Sequence, residues 1–265
     1  MPGPLITVDE LATRLREVRV YDIRWSLAEP EAGHASYLAG HVPGAVFVDL
    51  DRDLAAPPSL DGRHPLPEPA VFAGTLGRLG LSPGDEVVVY DDSGGAVAAR
   101  MWWMLRSIGH DTVRVLDGGY QAWVGAGHPV ETGEVVPDPS RYPIPDGFTG
   151  VVTRHQLEGR ALVDARVPER FRGEVEPVDP KAGHIPGAVN RPYPGNLDES
   201  GRFLPPETLA ARFEGLDRPV VYCGSGTNAC HLALAMEIAG LGMPDVYVGS
   251  FSEWSRRDLP VETGP

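Results

Sequence analysis

The chain has 265 residues, 42% of them apolar and 23% charged, a composition that suits two globular domains of ordinary size. Its formal net charge of −14 opposes binding to nucleic acid or to an anionic membrane surface, so an anionic substrate would have to be met by local arginines. No apolar run is long enough to span a bilayer, and two cysteines, Cys223 and Cys230, are too few for a disulfide framework and lack metal-site spacing.

The opening Met1-Pro2-Gly3-Pro4 has neither the basic nor the apolar region of a secretory leader, so the expected compartment is the cytoplasm. From there the first half alternates helical and strand patterns. Helices are expected over 8–16, 69–79 and 96–108, and strands over 19–23, 45–48, 86–90 and 113–116. The stretch 51–68 is rich in Pro, Gly and Asp and reads as a long loop, the kind that often carries function. Residues 131–150 hold Pro137, Pro139, Pro143 and Pro145 with little periodicity. They read as an extended connection laid along the surface, with the domain boundary near residue 145.

The second half repeats the landmarks of the first. Val20-Tyr21-Asp22-Ile23-Arg24 matches Leu162-Val163-Asp164-Ala165-Arg166, and Gly40-His41-Val42-Pro43-Gly44-Ala45 matches Gly183-His184-Ile185-Pro186-Gly187-Ala188. Val87-Val88-Val89-Tyr90 matches Pro219-Val220-Val221-Tyr222, and Gly118-Gly119-Tyr120 to Trp123 matches Gly249-Ser250-Phe251 to Trp254. Four landmarks in one order make this a domain duplication. The expected domains are 1–130 and 151–265, joined by a linker over 131–150. Each is an α/β unit, a mainly parallel sheet with helices on both faces, and ligands gather at the carboxyl ends of such strands.

What the halves share is expected to be fold, and what one half has alone is a candidate for function. On that criterion His41 and His184 are structural, and Asp22–Arg24 and Asp164–Arg166 are strand-end salt links. Cys223 occurs once. An apolar strand leads into Cys223-Gly224-Ser225-Gly226-Thr227-Asn228, and a helical pattern follows from 229. Loop N–H groups and a helix N-terminus favour the thiolate, which is the nucleophile. Aligning Tyr90 with Tyr222 puts Asp91 at the cysteine position, so the first half cannot do thiol chemistry. A Cys-x5-Arg phosphatase is excluded because position 229 is alanine. Cys230 reads as a small buried hydrophobe, with a resolving cysteine as the alternative.

Arg170 and Arg172 are also one-sided. Cations near the strand end suit a carboxylate or sulfonate, which a guanidinium binds bidentately; Lys181 is a weaker candidate. The glycine–histidine motifs stand 143 residues apart (40 to 183) and the tyrosines 132 apart (90 to 222). The first half therefore carries 11 extra residues, placed within 51–68. If that loop reaches the cysteine, His64 becomes a proton donor or acceptor oriented by Asp51; otherwise it is a plain surface histidine.

The cysteine loop, the doubled Gly-His-Ile-Pro-Gly-Ala and Asp-x-Arg motifs and the closing Gly-x-Phe/Tyr-x-x-Trp together resemble tandem-domain rhodaneses, the thiosulfate and 3-mercaptopyruvate sulfurtransferases. The family's first domain is inactive, with aspartate in place of cysteine, as at Asp91. The resemblance implies a ping-pong transfer through a persulfide on Cys223, without cofactor or metal. The outer sulfur would pass to cyanide, a thiol or a thioredoxin-like protein, and the expected state is a monomer. Mercaptopyruvate-using members resemble Cys-Gly-Ser-Gly in the loop, as Cys223 to Gly226 do here, whereas thiosulfate users resemble Cys-Arg-Lys-Gly. The resemblance assigns Ser225, His64 and Asp51 to a triad and Arg170 to the donor. Gly224, Gly226, Thr227 and Asn228 complete the expected binding loop. Thr227-Asn228 departs from the usual Val-Thr, and Asp179 stands where animal mercaptopyruvate enzymes have a second arginine, which suggests a weaker clamp or one shared with Arg172. The alternatives are a thiosulfate:cyanide sulfurtransferase and a non-catalytic rhodanese-like scaffold.

Overall fold

The computed structural model describes residues 3–29 and 31–265; Met1 and Pro2, part of the opening read for a leader, lie outside them. The chain divides into two compact units. The first takes the described residues up to Ala55, together with Pro67–Thr149 and Glu199–Phe203. The second takes Ala56–Leu66, Gly150–Asp198 and Leu204–Pro265.

In the first unit five parallel strands, β1 (Leu5–Ile6), β2 (Arg19–Asp22), β3 (Val46–Phe47), β4 (Val87–Tyr90) and β5 (Val113–Leu116), pair in the order β1-β5-β4-β2-β3. The second unit repeats this with β6 (Val151–Val152), β7 (Leu162–Asp164), β8 (Val189–Asn190), β9 (Val220–Tyr222) and β10 (Asp245–Tyr247) in the order β6-β10-β9-β7-β8. The central strands β4 and β9 are buried along their whole length, as strands covered on both faces must be. The chain thus has the doubled, parallel α/β architecture expected from its repeats. The two-residue edge strands β1 and β6 are too short to show a period.

The Asp-x-Arg motifs lock each sheet from beneath its central loop. Arg24 is bound to Asp22, with Nη2–Oδ2 at 2.6 Å, and its Nη2 also donates to the Gly40 carbonyl. Arg166 does the same with Asp164 at 2.7 Å and the Gly183 carbonyl. His41 and His184 lie buried in the helix-to-strand turns, each Nδ1 at 2.8 Å from a backbone carbonyl, of Tyr37 and of Phe171. Both halves carry these contacts, and they are architectural.

Residues 131–149 are held along the first unit: Ser140 N–H donates to Gly77 O, Val135 N–H to Tyr37 Oη and Thr149 N–H to Ser107 O. Backbone donors that cannot join a sheet still need acceptors, and here the first unit supplies them. The stretch 51–68 differs from expectation, because it is not all loop. A short helix α3 (Leu50–Asp53) opens it, because Asp49 caps the Arg52 N–H at 2.8 Å. Beyond it, Ala56–Leu66 packs into the second unit and has eleven residues, the size of the net insertion.

Candidate active site

Cys223 stands at the carboxyl end of β9, and α9 (Thr227–Ile238) follows. That helix is apolar nearly all round, with Thr227 and Ala229–Met236 buried, so its N-terminus is fixed against the sheet. The start of α10 (Ser250–Trp254) holds the loop backbone. The Cys223 N–H donates to Ser250 Oγ at 3.1 Å, Phe251 N–H to the Cys223 carbonyl at 3.0 Å, and Ser252 N–H to the Gly224 carbonyl at 2.8 Å. Gly226 adopts φ +84, a turn that glycine makes without strain. Its N–H points back and donates to Cys223 Sγ at 3.1 Å. The sulfur is thereby hydrogen-bonded and near a positive helix end, while Cys223 is only 3% exposed. The hydrogen bond and the helix end favour negative charge on sulfur, and burial opposes it.

The insertion brings a histidine to this loop. Arg63 N–H donates to Ser252 Oγ at 3.0 Å, and Arg257 Nη2 reaches Asp61 at 2.8 Å. Gly62, with φ +126, passes so close to Gly249 that a Cβ there would lie 3.0 Å from its carbonyl oxygen. Held this way, His64 is buried with Nδ1 2.8 Å from Ser225 Oγ and 3.5 Å from Thr227 Oγ1. The alternative of a plain surface histidine is excluded. Thr227, a departure from the usual family loop, has this histidine as its neighbour.

Two cations reach the loop at Gly224. A Cβ built on Gly224 would stand 3.1 Å from Arg63 Nη2 and 3.5 Å from Arg170 Nη1. Asp179, with a fully buried carboxylate, bridges the two guanidiniums, at 2.7 Å from Arg63 Nη1 and 3.1 Å from Arg170 Nη2. Glu176 accepts from Arg170 Nη2 at 2.6 Å and from Arg166 Nη1 at 3.3 Å. Burial opposes its charge, but the Arg170 hydrogen bond and the backbone N–H groups of Asp179 and Val178 hold Glu176 below the usual carboxylate range.

The structure therefore brings together Cys223, Gly224, Ser225, Gly226, Thr227, His64 and Arg170. Asn228 is half-buried on the first turn of α9. The site's second guanidinium is Arg63, not the expected Arg172, whose Nε binds Glu174 at 2.7 Å at the surface. Lys181 is likewise removed from consideration, because its ammonium is bound to the carbonyls of Arg257 and Leu259. Cys230 is buried on α9 and its thiol donates to the Gly226 carbonyl. Asp51 lies on α3 in the first unit, where it accepts the Trp25 indole N–H at 2.8 Å. Sequence reasoning missed Arg63 and Glu176, and read Asp179 only as a lost arginine. The available signal was the cation beside His64 in an insertion of an acidic chain.

The corresponding loop of the first unit follows β4. There Asp91 is fully buried, and its carboxylate accepts the N–H groups of Ser93, Gly95, Val97 and Ala98 at 2.7–2.8 Å.

A strand-end cysteine under an inward N–H, with a histidine and two arginines beside it on a duplicated α/β frame, is an arrangement suited to thiol-dependent group transfer. The chain belongs to the rhodanese family: the rhodanese-like domain matches residues 7–126 and again 152–257. A Pseudomonas aeruginosa protein named "Probable 3-mercaptopyruvate sulfurtransferase" is 46% identical over 98% of both chains. The bovine thiosulfate sulfurtransferase is 39% identical over 93% of this chain and 87% of its own. Among solved structures, the 3-mercaptopyruvate sulfurtransferase from Leishmania major superposes with a TM-score of 0.88 at 34% identity, covering 97% of this chain and 75% of that one.

Proposed function

We propose that this chain is a sulfurtransferase that carries sulfane sulfur on Cys223, with 3-mercaptopyruvate as the favoured donor. The observation that carries the reading is the Gly226 N–H on Cys223 Sγ, beside a histidine–serine pair and two guanidiniums.

In the first half-reaction the Cys223 thiolate attacks the donor sulfur. The carbon–sulfur bond of mercaptopyruvate breaks, its electron pair goes to carbon, and a proton converts the enolate to pyruvate. The persulfide remains on Cys223, its charge met by the inward N–H. In the second half-reaction an acceptor thiolate or cyanide attacks the outer sulfur, and Cys223 leaves as thiolate. His64 and Ser225 relay the proton, and Asp51 belongs to this relay on the family resemblance alone. Arg170 and Arg63 orient the donor carboxylate; Gly224, Gly226, Thr227 and Asn228 shape the loop around it.

The transfer as proposed balances without a cofactor. No helix among the described residues is long and apolar enough to cross a membrane. Two free thiols suit a reducing compartment such as the cytoplasm. A monomer acting on a small anionic donor and a thiol, cyanide or thioredoxin-like acceptor completes the proposal.

A thiosulfate donor is the second reading, favoured by the pair of guanidiniums at Gly224. A donor panel with intact-mass spectrometry tests both. We expect a 32-dalton gain (about one sulfur atom) on Cys223 and a higher kcat/KM with mercaptopyruvate. A preference for thiosulfate would transfer the assignment, and no gain with any donor would leave the non-catalytic scaffold.

A further inference from the structure

We propose that Asp179 is a specificity-determining residue, which sets the charge of the donor by neutralising the arginine pair at the Cys223 loop. The inference rests on the sulfurtransferase reading and deepens it. Arg63 and Arg170 both reach the space over Gly224, and two bare guanidiniums there would favour a doubly charged donor over a singly charged one. The cluster is not bare. Asp179 binds one nitrogen of each arginine, at 2.7 and 3.1 Å, and its carboxylate is fully buried. Glu176 takes Arg170 Nε at 3.1 Å and shares its Nη2 with Asp179, at 2.6 Å. It also accepts the Asp179 N–H at 3.0 Å, which fixes the turn that presents Asp179.

Arg166, which also reaches Glu176, is matched by Asp164, so Arg63 and Arg170 set against Asp179 and Glu176 leave the cluster neutral. An incoming donor is therefore held by directional hydrogen bonds from the remaining guanidinium N–H groups and not by net charge. A carboxylate matches that fork geometry. A second negative charge on the donor gains nothing from a neutral cluster and is repelled by Asp179. Asp179 need not touch the donor; it acts through Arg63 and Arg170.

The test compares kcat/KM for thiosulfate and 3-mercaptopyruvate in the full chain, in Asp179→Asn and in Asp179→Glu. The ratio of thiosulfate to mercaptopyruvate should rise about tenfold or more in the asparagine variant, because a dianion feels the removed charge twice. It should return toward the parent value in the glutamate variant. A merely structural role would lower both donors alike. An unchanged or falling ratio in Asp179→Asn, with Cys223 still gaining sulfur, overturns the inference and leaves the sulfurtransferase reading standing. Absence of sulfur on Cys223 in the parent with both donors removes that reading and the inference with it. If the asparagine variant does not fold, competition on the parent protein decides. Pyruvate should compete with mercaptopyruvate more strongly than sulfate does, and stronger inhibition by sulfate overturns the inference.

Discussion

At the end of β4 four backbone N–H groups close on the carboxylate of Asp91; at the end of β9 the Gly226 N–H closes on the sulfur of Cys223. The two loops share a strand, a turn and a helix, and beneath them the same tyrosine and Asp-x-Arg lock. Tyr90 Oη donates to Asp22 at 2.7 Å in one unit, and in the other Tyr222 Oη receives the Ile185 N–H at 3.2 Å. This strand–turn–helix junction makes a pocket for negative charge whichever residue is placed in it. Asp91 is an acceptor and nothing more. Cys223 is an acceptor that can also form a bond.

The comparison breaks most sharply at the nucleophile. Cys223→Ser and Cys223→Asp should both abolish sulfur uptake by mass spectrometry, and the aspartate variant should keep a native far-UV circular dichroism spectrum. A misfolded Cys223→Asp would mean that the second loop is not interchangeable with the first. The insertion that carries His64 has no counterpart in the second half of the sequence, so removing His64 tests what the insertion adds. His64→Ala should lower kcat/KM with mercaptopyruvate about a hundredfold, the lower range for general acid–base catalysis, with little change in the urea midpoint. Unaltered kinetics would reduce the Ser225 contact to packing.

The reverse experiment belongs to the first loop. Asp91→Ala strips the acceptor from four N–H groups and should cost about 2–4 kcal/mol in urea unfolding, while the folded fraction still transfers sulfur. Next in size is Arg170→Lys, which loses the fork that meets Glu176, Asp179 and the donor. It should raise KM about tenfold with a smaller fall in kcat, read from initial rates. The smallest effect concerns acid. Glu176 is held below its ordinary range in the folded state. Its ion pair therefore contributes stability above the unfolded carboxylate value and loses it as pH falls through the folded one. Glu176→Gln should flatten the decline of the urea midpoint on acidification below the usual carboxylate range; an unchanged slope would assign that decline to other carboxylates.

Much of the frame was legible in the chain because the duplication supplied its own control. Paired motifs gave the architectural contacts at His41, His184, Asp22 and Asp164, and the unpaired cysteine gave the reactive loop. The site was harder to read wherever it depends on contacts distant in sequence. Arg63 reaches the Gly224 position across about 160 residues of chain, and no local pattern announces such a contact. Arg172 is one-sided like Arg170, but on the short helix α7 (Pro168–Phe171) and its cap two residues so spaced do not face alike. Asp179 looked like a lost arginine, when its place is between two others.

The Asp91 carboxylate can be viewed as a ligand that never leaves. It is tethered to the loop that binds it, so it has no translational freedom to lose on binding and acts at an effective concentration no dissolved anion can match. Thiosulfate, sulfite or a persulfide at millimolar levels would not displace it. The first unit is thus saturated from the moment it folds. The consequence is a stoichiometry: one chain carries one exchangeable sulfur, and a burst of product at the onset of turnover should count chains rather than folds.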